Sequence, residues 1–172
     1  MLKSQNLILL AGLSLMVSAC GSGNASETKS ASGGNDVKIE LVSKESRITG
    51  GGVVRHCRIE SKAKNRTGKT VVLAEILLDA IYPEEDIKLK VSYNAAVRAQ
   101  GQPSLKYGYL EPGETDTRTL TLLSSDCEAI EGFRIIDMSC MLEADQPCKT
   151  GIKFDDKGVF ETEWASEPDA ES

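Results

Sequence analysis

From Val37 onward, short runs of alternating apolar and polar residues are separated by turn-forming clusters, and no segment sustains a helical period. Val37, Ile39 and Leu41 alternate with Lys38, Glu40 and Val42, which predicts a half-buried first strand ended by Gly50-Gly51-Gly52. In the next strand Val53, Cys57, Ile59 and Ala63 share one face, with Arg55 an exception. His56, Arg58, Glu60, Lys62 and Lys64 share the other. Asn65-Arg66-Thr67-Gly68 reads as a turn, because Asn and Gly tolerate the positive φ of a tight reversal. Residues 70–81 are apolar on both sides, as a central strand requires, and Pro83 with Glu84-Glu85-Asp86 ends them. Ile87, Leu89, Val91 and Tyr93 alternate with Lys88, Lys90 and Ser92, which predicts a further strand. Residues 94–103 read as a loop holding one helical turn across Ala95 to Gln100.

Leu105, Tyr107 and Tyr109 fall on one face of a short strand, and Glu111-Pro112-Gly113-Glu114 turns the chain again. Residues 117–123, 133–142, 150–154 and 159–164 complete the set. The last two are joined across Asp155-Asp156-Lys157-Gly158, which reads as a hairpin turn. Seven to nine short strands in about 130 residues fit an all-β, two-sheet sandwich with Greek-key connections better than a closed barrel.

The start of the chain has a different character. Residues 1–20, MLKSQNLILLAGLSLMVSAC, place Lys3 before an apolar core from Leu7 to Val17, with small residues leading into Cys20. About a dozen apolar residues are too few to span a bilayer, which takes about 20, so this is an export signal. Val17-Ser18-Ala19-Cys20 resembles the lipobox of bacterial lipoproteins. The resemblance implies that residues 1–19 are removed, that the Cys20 thiol carries a diacylglycerol, and that the new amine is acylated. Two or three acyl chains anchor far more firmly than one. Gly21, where that family's inner-membrane retention signal has aspartate, implies passage to the outer membrane, with the leaflet left open. Residues 20–36 then contain no large apolar side chain and read as a flexible tether with a reach of roughly 20–24 Å.

The stretch CRIESKAKNRTGKTVVLAEILLDAI, with LEPGETDTRTLTLL some thirty residues later, resembles immunoglobulin-like modules of bacterial envelope lipoproteins, including the FxLYD type. It lacks their aromatic signature and has extra cysteines. What the resemblance implies is an Ig-like fold used for binding or scaffolding, with no catalytic residues to transfer.

The 172-residue chain has five cysteines, and with Cys20 assigned to the anchor four remain: Cys57, Cys127, Cys140 and Cys148. In an oxidising envelope an even count suggests two disulfides, for which the residues alone permit three connectivities. If the sandwich is Ig-like, its B and E strands are antiparallel neighbours. That topology implies Cys57–Cys127, leaving Cys140–Cys148 to flank one turn. A metal site is a poorer account, since there is no Cys-x-x-Cys, and His56 points away from Cys57 in a regular strand.

Composition narrows the chemistry further. The net charge is −6, and cleavage before Cys20 removes one lysine and no acid, taking it to −7. That balance argues against nucleic acid as a partner. One histidine excludes multi-histidine metal cages, and 5% aromatic residues leave no broad stacking platform. His56 is the one base for a nucleophilic triad and sits among charged residues. Glu84-Glu85-Asp86 and Asp155-Asp156 are runs at turns, so no catalytic residue is assigned, and no cofactor either. Tyr107 and Tyr109 are candidate partner-binding rings. The residues after Trp164, 165–172, are an acidic tail. The expectation is a non-catalytic, membrane-anchored envelope lipoprotein with a protein partner. Two alternatives are an assembly or pilotin-like escort of a larger complex, and an inhibitor of a basic hydrolase such as lysozyme.

Overall fold

The structure is a computed structural model that describes residues 34–52, 54–123 and 126–165. The leader, Cys20, residues 21–33 of the tether and residues 166–172 of the tail lie outside the described residues. The fold is an all-β sandwich of two sheets. One has the strand order β5-β2-β1-β8, from β1 (Val37–Thr49), β2 (Val54–Asn65), β5 (Thr115–Leu123) and β8 (Ile152–Asp155). The other has the order β4-β3-β6-β7, from β3 (Val71–Ile81), β4 (Ser104–Tyr107), β6 (Gly132–Leu142) and β7 (Gln146–Pro147), with β9 (Glu161–Trp164) also on β6. The chain crosses between sheets from β2 to β3, from β4 to β5, from β5 to β6, from β7 to β8 and from β8 to β9. This Greek-key path gives β1, β2 and β5 the places of Ig strands A, B and E, and β3 and β6 those of C and F.

Six of the strands form because residues spaced along them supply one apolar face. Val37, Ile39 and Leu41 of β1, Cys57, Ile59 and Ala63 of β2 and Leu122 of β5 face inward from the first sheet. Val71, Ala74, Ile76 and Leu78 of β3, Leu105 and Tyr107 of β4, and Phe133 and Ile135 of β6 meet them from the second. The β1–β2 reversal uses Gly50, Gly51 and Gly52, all at positive φ, where a side chain would be strained. Asp36 already belongs to the fold. It is 1% exposed, its carbonyl accepts from the Arg66 N–H at 3.0 Å, and its carboxylate lies 3.7 Å from the Arg66 guanidinium.

Both disulfides are present as the Ig topology implied: Cys57–Cys127 and Cys140–Cys148, with Cα separations of 4.7 and 5.4 Å. β2 and β5 are antiparallel and pair His56 with Leu123, which brings Cys57 to the end of β5 where Cys127 begins a single 3-10 turn.

Three expectations are corrected. Residues 87–93 are not a strand: Ile87–Gln100 is an α-helix, α1, inserted between β3 and β4. The last two strands are not a hairpin. β8 pairs with β1 and β9 with β6, both parallel, so the chain changes sheets across residues 156–160. Phe160 drives that change by burying its ring edge-on against Phe133 at 5.0 Å, under the Lys44 ammonium 4.1 Å from its centroid. The Asn65 turn exists, but neither Asn65 nor Gly68 adopts positive φ. It is held by the buried Asn65 amide, whose oxygen accepts from the Thr67 N–H and hydroxyl, while its nitrogen donates to the Lys69 and Leu110 carbonyls.

Candidate functional site

The helix expected as a strand builds the most distinctive surface of the molecule. Asp86 caps it, its carboxylate accepting from the Leu89 N–H at 3.1 Å, and Gly101 at φ 88° ends it. Between them Ala95, Ala96 and Ala99 favour helix. At 3.6 residues per turn Leu89, Tyr93 and Val97 fall on one stripe, and all three pack on the core. Ile87 and Val91 fall on the other side, one turn apart, with relative exposures of 69% and 62%. The alternation that suggests a strand is thus divided between two helix faces.

Tyr93 fixes the helix to the sandwich. Its hydroxyl accepts from the Ala80 N–H at 2.9 Å and donates to the Asp79 carboxylate at 3.1 Å, and its ring packs 5.3 Å from that of Tyr82. Burial, reinforced by the Asp79 charge, pushes this phenol well above the usual tyrosine range, so it stays protonated at neutral pH. Arg134 of β6 continues the network, 3.7 Å from Asp79 and 3.3 Å from Glu163 of β9. Asp79, Tyr93 and Arg134, with Glu84 and Lys90, line a polar cleft of about 410 Å³. A narrower groove of about 190 Å³ runs between the end of α1, including Val97, and Leu120 to Leu123 of β5.

The outward face of α1 is cationic as well as apolar. The helix holds Lys88, Lys90 and Arg98 and no Asp or Glu, in a chain of net charge −6. Lys88, Ala95 and Arg98 are exposed beside Ile87 and Val91. β1 and β3 begin at one end of the sandwich, since Val37 pairs with Asn65 and a short turn leads from there to Val71. The helix follows the far end of β3, so it hangs from the end opposite the one where the chain enters.

The two tyrosines predicted to share a binding face are separated. Tyr107 is 0% exposed, and its hydroxyl meets that of Ser61 at 2.6 Å inside the sandwich, so it is a core residue and not a contact for a partner. Tyr109 is 79% exposed because its left-handed backbone, φ 54°, reverses the alternation. Leu110 then turns inward and exchanges backbone hydrogen bonds with Val71. His56 is half-buried with Nε2 3.2 Å from the Thr49 hydroxyl. Asp155 and Asp156 receive the backbone N–H groups of Lys157 and Gly158, the work of turn residues. Among the described residues no group of three or more His, Cys, Asp or Glu is placed to hold a metal. The sequence signals for α1 were the Asp86 cap, the alanines and Gly101. Comparison with protein families, curated proteins and solved structures finds no match for this chain.

Proposed function

We propose that this chain is a non-catalytic bacterial envelope lipoprotein, held in the membrane through Cys20, that presents helix α1 to a protein partner carrying an acidic, partly apolar segment. The observation that carries the reading is the outer face of α1. Two large aliphatic side chains stand in solvent one turn apart, flanked by cations, on an element that the sandwich does not need for its own sheets. Burying two such side chains contributes roughly 1.5–3 kcal/mol each, enough to anchor a helix-in-groove contact. The lipobox supports the anchor. The position of α1 at the end away from Asp36 supports the direction of presentation, since a base held near lipid leaves the opposite end to meet other molecules. Lys88 and Arg98 favour an acidic partner by charge complementarity.

The test has two arms on the full chain. Cys20→Ser moves the protein out of the membrane fraction and removes the acyl mass from the intact protein. Ile87→Asp with Val91→Asp abolishes a cross-linked complex in intact cells, whereas Lys62→Glu, on the outer face of β2, retains it. An unchanged complex in the α1 variant removes the reading of the helix. An unacylated wild-type protein removes the reading of the anchor.

A further inference from the structure

β5 is the longest regular strand edge that the described fold leaves unpaired. β4, β8 and β9 have four residues each and β7 has two. β1 beyond β8 is blunted by a bulge between Leu41 and Ser43 and by the charges of Lys44, Glu45 and Arg47. β5 has nine residues, contains no proline, and pairs with β2 without a register shift from Thr115 to Leu123. Its other side ends the sheet.

The direction of its backbone groups follows from one hydrogen bond. The Asn65 N–H donates to the Glu114 carbonyl at 2.9 Å, so the Asn65–Glu114 position is hydrogen-bonded across the β2–β5 ladder. Antiparallel positions alternate, which makes Ala63–Asp116 and Ser61–Arg118 hydrogen-bonded and Lys64–Thr115, Lys62–Thr117 and Glu60–Thr119 not. The N–H and C=O groups of Thr115, Thr117 and Thr119 therefore face the open edge. Leu120 to Leu123 lie against the wall made by Gln100 to Ser104, so the accessible part is Thr115 to Thr119.

We infer that this segment pairs with the same segment of a second copy of the chain, antiparallel, about a two-fold axis at Thr117. In that register Thr117 meets Thr117, and Thr115 meets Thr119 twice, each pair with its backbone groups already directed at the other. Asp116 then faces Arg118 of the other copy on both sides of the axis. An axis at Asp116 or Arg118 would oppose like charges, and one at Thr119 would set Asp116 against Leu122 and Arg118 against Leu120. Within one chain Asp116 and Arg118 are paired at 2.7 Å. Together they deter a foreign apolar strand and suit the strand's own copy. The two sheets that contain β5 become one continuous sheet across the dimer, with α1 of each copy left free.

Sedimentation velocity on the detergent-solubilised full chain tests this. The wild type shows a concentration-dependent monomer–dimer equilibrium. Asp116→Arg weakens it by about tenfold or more, and Asp116→Arg with Arg118→Asp restores it. Thr117→Pro abolishes dimerisation while keeping the fold, because β2 does not use that N–H. Ile87→Asp with Val91→Asp leaves the dimer intact, which keeps this surface distinct from the helix face. A monomer at every concentration, or a dimer equally strong in all variants, overturns the inference.

Discussion

The Tyr107 phenol and the Ser61 hydroxyl meet 2.6 Å apart between the two sheets, a buried hydrogen bond linking β4 to β2. Both residues are fully buried, and the Ser61 hydroxyl also donates to the Arg118 carbonyl at 3.4 Å, so the Tyr107 phenol is the group that donates to Ser61. Tyr107→Phe keeps the ring packing and removes one of the two hydrogen bonds of the Ser61 hydroxyl, and is expected to cost about 1 kcal/mol in urea unfolding. Adding Ser61→Ala to that variant also removes the bond to the Arg118 carbonyl, so the double variant should be no more stable than Tyr107→Phe.

The same pair makes stability depend on alkaline pH. Burial pushes the Tyr107 phenol up to about 12, against the opposing effect of the Ser61 hydrogen bond. An unfolded tyrosine releases its proton near 10. Between these values the unfolded chain has lost a proton that the native state keeps, so stability falls as pH rises. The contribution is whole below about 10 and is lost progressively towards about 12, on the order of 2–3 kcal/mol. Thermal melts across that range should show a shallower decline for Tyr107→Phe than for wild type. The phenol of Tyr93, shifted in the same direction, accounts for part of the decline that remains.

Asn65 uses all of its amide capacity, accepting twice from Thr67 and donating to Lys69 and Leu110. It thereby ties the β2–β3 turn to the β4–β5 loop. Asn65→Ala leaves the buried Thr67 N–H without its acceptor and takes one of two donors from each of the Lys69 and Leu110 carbonyls, and should cost on the order of 1–3 kcal/mol. Asn65→Asp should be no better, since a carboxylate cannot donate to the two carbonyls. Denaturant midpoints of the two variants check both statements.

The disulfides close loops of very different size, with separations of 70 and 8 residues. Loop entropy assigns about 4 kcal/mol to Cys57–Cys127 and about 2.5 kcal/mol to Cys140–Cys148. Replacing each pair by alanine should therefore destabilise unequally, with the larger effect at the pair that staples the 3-10 turn to β2. Calorimetry of the two double variants measures the difference.

The parts of this fold that could be read from residue order are those where alternation and burial agree. In the first half of β1, the middle of β2 and the start of β6 alternate residues are apolar and the structure buries them: Val37, Ile39 and Leu41, Cys57 and Ile59, and Phe133 and Ile135. The pairing of Cys57 with Cys127 followed once β2 and β5 were taken as neighbours. Alternation misled at α1, because Ile87 and Val91 are apolar without being buried, so the period of two came from mixing an inner and an outer stripe. It misled again at Tyr109, where a single left-handed residue reversed the sides. The separation of β8 from β9 depends on Phe160 finding Phe133, a contact between distant segments that no local pattern records. The candidate surface on α1 was hidden for the same reason as the helix itself.

The central claim is that the outer face of α1 meets an acidic partner at the envelope. Its most direct test is a photo-cross-linking side chain placed at Val91 of the full chain in intact cells, with Ser43 on β1 as the comparison site. The account predicts one discrete adduct at Val91 with an acidic protein, absent at Ser43 and lost when Lys88→Glu and Arg98→Glu are added. Equal labelling at both positions, or an adduct indifferent to those charges, would contradict it.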